Sequence, residues 1–137
     1  MVVFNPIWDD IIRFVEDKTG TKYTYSDLTW DVTRKEYEGD FTLVVFPMTR
    51  IFKMKPDEIA REIGVFLVDN NHYISNFNVI GGFLNLSLEN DFWAFALQQI
   101  LSAPAYGKGE TKGVKVMVEF SSPNTNKPLH LGHIRNI

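Results

Sequence analysis

The chain has 137 residues, of which 45% are hydrophobic and 14% aromatic, with a formal net charge of −3 and no cysteine. A chain of this size and composition can bury one apolar core, and the lack of cysteine excludes disulfides, thiolate metal sites and a cysteine nucleophile. The negative net charge argues against a protein that holds nucleic acid by charge alone.

The sequence shows no membrane or secretion signal. No apolar run approaches the roughly 20 residues that a membrane span requires, and the first residues, MVVFNP, lack the basic start and long apolar stretch of a secretory signal. We therefore expect a soluble protein that does not contact a membrane and stays in the cytoplasm.

A helix and two strands are predicted for the first part of the chain. Asn5-Pro6 favours a helix start, and apolar residues at helical spacing continue to Gly20, which predicts a helix over residues 6–18. Residues 21–55 are rich in Thr, Tyr, Val and Phe, which favour strands. Two strands are predicted there, over residues 28–35 and 41–47.

Two short segments, 50–55 and 108–115, each carry three basic residues. These are Arg50, Lys53 and Lys55 in the first segment and Lys108, Lys112 and Lys115 in the second. Either group can be a local contact for nucleic acid or an ordinary solvated surface, and the second interpretation is the commoner one for clusters of this size.

A second helix and a hairpin follow. Pro56 opens the helix, residues 69–71 close it, and its apolar stripe contains Ile59, Ile63, Phe66 and Leu67. The sequence FNVIGGFLNLSL, residues 77–88, then predicts a hairpin with a two-residue turn at Gly81-Gly82. In that register Ile80 pairs with Phe83, Asn78 with Asn85 and Asn76 with Ser87 on one face, while the opposite face is apolar and joins the core.

The remaining elements are a helix, a linker and a strand. A third helix is predicted over residues 90–102, with a buried stripe of Trp93, Ala96, Leu97 and Ile100. Glycines, small residues and charges mark 103–113 as a linker, and VKVMVEF reads as one more strand. We predict an α+β domain over 1–102, with a small antiparallel sheet of about four strands packed with helices, and the start of a second domain over 114–137.

The tail SSPNTNKPLHLGHIRNI, residues 121–137, groups Lys127 with His130, Gly132 and His133. A loop that leads from a strand into a helix suits phosphate, because a helix start offers free amides and a positive partial charge. The lysine and the histidines can then stabilise charge that develops on a phosphoryl group. A metal pair and incidental surface histidines are the alternatives. No third ligand lies nearby, so a metal site is the poorest of the three.

The longer string VEFSSPNTNKPLHLGHIRN resembles the active-site opening of arginyl-tRNA synthetases, class I enzymes whose HIGH signature is here His130-Leu131-Gly132-His133. The preceding residues are similar to the family's N-terminal additional domain, through YEGDF at 37–41 and VIGGFLN at 79–85. The resemblance implies that 114–137 begins a Rossmann-type catalytic domain. We expect the chain to be the N-terminal part of a longer, monomeric arginine–tRNA ligase. The alternative is a stand-alone tRNA-binding module without catalytic activity.

The resemblance also implies roles for residues of the tail. Those matching positions that hold the arginine substrate are Glu119, Ser122, Asn124 and His133, and those matching the ATP side are Lys127, His130 and Gly132. Lys127, His130 and His133 match catalytic positions. The implied reaction joins arginine to ATP, accompanied by Mg²⁺, and transfers the arginyl group to the tRNA. The chain by itself is expected to be inactive, to bind no cofactor and no resident metal, and to retain only tRNA binding.

The family's additional domain binds the outer corner of the tRNA and its D-loop, which implies a role for the hairpin. Phe83 and Asn85 lie two apart on a predicted strand, so they share a face. The ring can stack on an unpaired base and the amide can read the edge of that base. Ile80 stands where some family members have asparagine. The alternative is that Phe83 covers a neighbouring helix and Asn85 is merely solvated.

Overall fold

The computed structural model describes residues 4–118, 128 and 130–136. The chain divides into two compact units, Met1–Tyr106 and Gly107–Ile137, and each is described by itself. The first unit is an α+β domain with one four-stranded antiparallel sheet. The predicted fold class is therefore confirmed.

Along the first unit one helix is followed by two strands, two helices, two strands and a last helix. The helices are α1 (Asn5–Thr19), α2 (Thr49–Phe52), α3 (Pro56–Asn70) and α4 (Asn90–Ser102). The strands are β1 (Trp30–Val32), β2 (Phe41–Val44), β3 (Ile74–Ile80) and β4 (Phe83–Leu88). Two single 3₁₀ turns, Tyr25–Asp27 and Phe46–Met48, precede β1 and α2. In the second unit the described residues include one helix, α5 (Leu131–Asn136).

The sheet has the strand order β1-β2-β4-β3, and every neighbouring pair is antiparallel. The β3–β4 hairpin has the predicted register, in which Ile80 pairs with Phe83, Asn78 with Asn85 and Asn76 with Ser87. Strand β4 therefore lies between β2 and β3 and is hydrogen-bonded on both sides.

One face of the sheet packs against α1, α3 and α4 to form the core. Strand residues Leu43, Leu84 and Leu86 are at most 1% exposed, as expected for alternate positions that face helices. The fully buried side chains that meet them from the helices and from the segment before α2 include Ile7, Ile11, Val15, Met48, Ile59, Ile63, Leu67 and Phe92. The side chains on the opposite face of the sheet are therefore available for another role.

The hairpin turn requires glycine for two different reasons. Gly81 and Gly82 have φ angles of 54° and 78°, the left-handed region that an L side chain enters only at a cost. At Gly82 a Cβ atom would also lie 2.8 Å from the Phe46 ring and 2.8 Å from Cβ of Pro56, whereas at Gly81 nothing lies within 4 Å. The Gly82 amide donates to Oδ1 of Asp57 at the start of α3, so the turn is packed against α3 at this residue.

We expect Gly82→Ala to lower the free energy of unfolding by about 1–3 kcal/mol more than Gly81→Ala. Both substitutions place alanine at positive φ, but only Gly82→Ala forces Phe46 and Pro56 to move. Urea denaturation followed by circular dichroism measures both values. Equal losses of stability in the two variants would show that Gly82 is not packed tightly against Phe46 and Pro56.

Several element boundaries differ from the predictions. Helix α1 begins one residue earlier than predicted, with Phe4 at the N-cap and Asn5 inside the first turn. The predicted strand 28–35 is reduced to three residues and the strand 41–47 to four. The second strand is shorter than predicted because the chain after Val44 continues into a 3₁₀ turn and the short helix α2. Strand-favouring residues such as Val45 and Phe46 extended the predicted strand to residue 47, but packing of Phe46 against the hairpin turn overrides that preference.

The predicted buried stripe of α4 is confirmed at Ala96, which is buried, and wrong at Trp93 and Leu97, while Ile100 is half-buried. The residues of α4 that face the core are Phe92 and Ala96, whereas Trp93 and Leu97 are 44% and 57% exposed. The helix is apolar on most of its circumference, so spacing alone does not determine which side faces the sheet. Phe92 determines the orientation, because its ring packs against Phe4 and Tyr73 at centroid distances of 5.1 and 5.7 Å.

In the second unit, residues 114–118 form no strand, although VKVMVEF has strand composition. A parallel strand is stable only beside neighbours that complete its hydrogen bonds, and the described residues of this unit include no other strand. The last two residues of the predicted strand, 119 and 120, lie outside the described part of the chain.

Candidate functional site

The face of the sheet opposite the core contains a cavity of about 320 Å³. Its walls come from the end of β1 and the β1–β2 loop, from β2 and β4, and from the β3–β4 turn. The lining residues are Asp31, Val32, Arg34, Tyr37, Thr42, Val44, Ile80, Gly81, Phe83 and Asn85. The structure therefore brings the two predicted hairpin residues, Phe83 and Asn85, into one cavity.

Phe83 forms an exposed aromatic wall of this cavity. Its side chain is 41% exposed, and its ring packs edge-on against Phe46 with 5.4 Å between the centroids and 76° between the planes. The edge contact holds the ring from one side. The rest of the ring is therefore available for another planar group to stack on it.

Asn85 is buried rather than solvated. It is 2% exposed, because the backbone of the β1–β2 loop closes over it: a Cβ atom on Gly39 would lie 3.0 Å from Cβ of Asn85. Gly39 has φ of 128°, a conformation that favours glycine. The alternative in which Asn85 is merely solvated is thus wrong, and Asn85 lies on an inner surface of the cavity.

Two threonine hydroxyls lie next to the Asn85 amide. The Thr42 hydroxyl donates to Oδ1 of Asn85 at 2.6 Å, and the hydroxyls of Thr33 and Thr42 are 3.0 Å apart. The other end of the amide, Nδ2, is buried and makes no hydrogen bond to any described residue. Because nearly all buried donors in native proteins have partners, this one indicates a place where a ligand or a water molecule supplies an acceptor.

Residues of the β1–β2 loop complete the site and were not predicted from the sequence. Arg34 and Tyr37 are both exposed and both line the cavity, so they place a cation and a second aromatic ring beside Phe83. The only sequence signal for this loop was the family-like string YEGDF at 37–41. Nothing in the local pattern indicated that the loop folds back over Asn85.

The residues on either side of the basic segment 50–55 reach the hairpin turn. Phe46 and Pro56, which flank the segment in the sequence, both pack against Gly82 at the hairpin turn. Arg50, Lys53 and Lys55 are exposed, and among the described residues the ion pairs involve other side chains, Arg13 with Asp10 and Lys18 with Glu62. Lys53 has a positive φ of 55°, which is uncommon for a residue other than glycine.

The described part of the tail contains one informative hydrogen bond. The Gly132 amide donates to Nδ1 of His130 at 3.1 Å, so this ring nitrogen acts as an acceptor. Of the other predicted residues, Glu119, Ser122, Asn124 and Lys127 lie outside the described residues. The backbone of His133 lies in α5, and its side chain is also outside the described part of the chain.

Among the described residues, no helix is both long enough and apolar enough to cross a membrane.

Two family models match the chain. The model described as "Arginyl tRNA synthetase N terminal domain" matches residues 8–88, which include the whole sheet and the cavity. The model described as "tRNA synthetases class I (R), catalytic domain" matches residues 96–137, which include the HIGH sequence.

Individual relatives agree with the family models. An arginine–tRNA ligase of Parabacteroides distasonis is 44% identical over 138 residues, which cover 99% of this chain and 23% of the relative. The corresponding ligase of Phocaeicola vulgatus is 49% identical over 107 residues, 76% of this chain and 18% of the relative. Among solved structures, an arginyl-tRNA synthetase of Thermus thermophilus matches with a TM-score of 0.52 and 26% identity over 94% of this chain and 20% of that one. The chain thus spans about a fifth of the length of these relatives.

Proposed function

The chain belongs to the arginyl-tRNA synthetase family, and on that premise we propose that its first unit binds the D-loop of arginine tRNA in the cavity around Phe83 and Asn85. The observation that carries the proposal is the combination of an exposed aromatic ring and a buried amide without a partner in one cavity. Proteins recognise unpaired RNA bases by stacking them on aromatic side chains and by hydrogen bonds to the base edges.

The size and walls of the cavity fit a single base. A volume of about 320 Å³ is at the lower end of the range found for small-ligand pockets, roughly 300–1,000 Å³. Phe83 supplies the stacking surface, Ile80 and Val44 supply apolar walls, and Asn85 supplies one polar contact. An apolar pocket with few polar groups is the usual composition of such sites.

The proposed phosphate contacts come from the basic segment 50–55. Arg50, Lys53 and Lys55 are exposed beside the hairpin turn, where they would meet the tRNA backbone next to the bound base. Such contacts fix position without reading sequence. They also allow a chain with a net charge of −3 to bind a polyanion, because the positive charge is concentrated locally.

We expect neutralisation of this segment, by Arg50→Gln, Lys53→Gln and Lys55→Gln together, to reduce the salt dependence of tRNA binding. Each lost phosphate contact should lower the slope of log affinity against log salt concentration by about 0.7–0.9. Fluorescence anisotropy over a series of salt concentrations measures the slope. The matched control changes Lys108, Lys112 and Lys115 to Gln, which alters the net charge equally and should leave the slope nearly unchanged.

A D-loop variant of the RNA separates base recognition from charge in the same titrations. Arginine tRNA whose unpaired D-loop bases are replaced by abasic sites should bind more weakly to the unaltered chain but show the same salt slope. If both RNAs bind equally well, the cavity does not take a D-loop base. If the triple variant in segment 50–55 and the triple variant in segment 108–115 lower the salt slope equally, the attraction to tRNA is a general effect of charge.

The reaction that we propose for the enzyme carrying these residues is that of the family. The carboxylate of arginine attacks the α-phosphate of ATP, arginyl-adenylate forms and pyrophosphate leaves, and the arginyl group then passes to the terminal ribose of the tRNA. ATP is proposed to bring Mg²⁺ as its counter-ion, and no residue of this chain is assigned to that ion. The proposed partners are arginine tRNA, arginine and ATP, for a monomeric enzyme that acts in the cytoplasm.

Within this reaction, residues of the tail have the roles that their positions suggest. Glu119, Ser122, Asn124 and His133 are proposed to bind arginine, and Lys127, His130 and Gly132 to bind ATP, with both histidines and Lys127 stabilising charge on the phosphate. The Gly132–His130 hydrogen bond supports the part played by His130, because it holds the imidazole through Nδ1 at the start of α5. A stand-alone tRNA-binding module is not favoured, since residues 96–137 match the catalytic-domain model.

A further inference from the structure

We propose that the hydroxyls of Thr33 and Thr42 fix the direction of the Asn85 amide, so that the cavity presents a hydrogen-bond donor and selects an unpaired base by an acceptor atom on that base. This inference rests on the D-loop binding proposed above and adds which chemical feature of the base is read. Thr33 and Thr42 are positioning residues in this scheme, and Asn85 is the residue that contacts the base.

The geometry orders the hydrogen bonds in one direction. Thr42 and Asn85 are directly paired across β2 and β4, and the Thr42 hydroxyl donates its only proton to Oδ1 of Asn85 at 2.6 Å. Thr42 can then only accept from Thr33, whose hydroxyl oxygen is 3.0 Å away. Thr33 is itself buried, at 9% exposure, so water does not readily replace it in this role.

This order of hydrogen bonds leaves Nδ2, the nitrogen of the Asn85 amide, as the group that can donate to a ligand. Thr42 engages Oδ1 of Asn85 and sets which way the amide points, whereas the two protons of Nδ2 have no partner among the described residues. A buried donor left unpaired is unfavourable, and native proteins retain such groups where a ligand or water satisfies them. The unpaired donor therefore favours a ligand that brings an acceptor.

This arrangement assigns discrimination to one contact. Stacking on Phe83 accepts every base, because every base has a π-face, and the neighbouring walls Ile80 and Val44 are apolar. Unprotonated ring nitrogens and carbonyl oxygens of a base can accept from Nδ2, whereas protonated ring nitrogens and exocyclic amino groups cannot. Nδ2 is buried in the structure, so the proposal requires neighbouring groups to shift when the base binds.

The test compares Thr42→Val, which keeps the shape and removes the hydroxyl, with Thr42→Ser, which keeps the hydroxyl. We expect Thr42→Val to bind arginine tRNA about three- to tenfold more weakly than the unaltered chain, as for the loss of one net hydrogen bond. Thr42→Ser should bind within about twofold of the unaltered chain. Thermal unfolding of each variant establishes that the comparison is made on folded protein.

A second measurement reports which way the Asn85 amide points, rather than how stable the variant is. The abasic series identifies the D-loop base that contributes most to binding. That base is then replaced by analogues that each lack one acceptor, either because a ring nitrogen is changed to C–H or because a carbonyl oxygen is removed. One analogue should weaken binding to the unaltered chain about tenfold, a value within the usual range for a hydrogen bond. The same analogue should have little effect on Thr42→Val, whose amide is free to turn, and on Asn85→Ala.

The outcomes separate this inference from the proposed function. If the analogue effect persists unchanged in Thr42→Val, or if no analogue weakens binding, the fixed donor is refuted while a loss of binding in Phe83→Ala still supports the base cavity. If Phe83→Ala and the abasic tRNA also leave binding unchanged, the proposed function itself fails. Preference for analogues that add a donor would mean that the amide points the opposite way, which also overturns the inference.

Discussion

Alanine at position 83 should lower the affinity of the chain for arginine tRNA by about five- to a hundredfold, the range expected when one base loses its aromatic stacking partner. Phe83 is the exposed ring of the cavity, and its only close ring neighbour among the described residues is Phe46, which meets it edge-on. Truncation therefore removes the stacking surface and leaves the sheet below it intact. Filter binding or fluorescence anisotropy with a labelled tRNA measures the change.

Two variants control for other effects of this substitution. Phe83→Tyr keeps an aromatic face and should bind tRNA nearly as well as the unaltered chain. Tyr106→Ala removes an exposed ring of comparable exposure, 54% against 41%, outside the cavity, and should leave affinity unchanged. Equal affinities for Phe83→Ala and the unaltered chain, at a temperature where both are folded, would show that the base does not stack here.

In an arginyl-tRNA synthetase that carries this sequence, His130→Ala should slow arginine activation by about 10²–10³, as observed when one preorganised donor to a developing charge is removed. The Gly132 amide donates to Nδ1 of His130 at 3.1 Å, and the proposed contact is a hydrogen bond from the other ring nitrogen, Nε2, to a phosphate oxygen of ATP. That contact strengthens as negative charge accumulates on the phosphate during attack by the arginine carboxylate. ATP–pyrophosphate exchange measures the rate.

The position of the donor can be tested with glutamine. The amide nitrogen of His130→Gln can occupy the place of Nε2, so this variant should recover part of the lost rate, and the affinity for tRNA should not change in either variant. His72→Ala is the matched control, because His72 is exposed and lies in the first unit, where its ring contacts Tyr73. A rate for His130→Ala within about threefold of the unaltered enzyme would exclude the proposed contact, since one such donor is worth far more.

The hairpin was predictable because its information is local. Gly81-Gly82 and the alternation on either side determine both the turn and the register, and the structure confirms each predicted pair. The cavity was not predictable in the same way. It depends on the pairing of Thr42 with Asn85 across β2 and β4, 43 positions apart in the sequence, and no local pattern states which strand lies beside β4.

The burial of Asn85 was missed for a related reason. Alternation correctly places Asn85 and Phe83 on the same face of β4, but it does not tell whether that face is open or covered. The cover is the β1–β2 loop, and its approach depends on Gly39 leaving room above Asn85. A glycine in a loop of mixed charges has many possible uses, so the sequence does not specify that Gly39 lies against Asn85.

The central position of β4 has a further consequence for how the cavity works. The backbone amides of β4 bond to neighbours on both sides, and such strands are usually the last to exchange their amide protons with solvent. The β1–β2 loop, which supplies Arg34 and Tyr37, has few such bonds. An incoming base therefore meets Phe83 and Asn85 on a backbone already in its final geometry, so the entropy lost on binding is concentrated in the loop. Tuning of affinity among family members is accordingly expected in the loop residues, while β4 supplies a rigid reference surface.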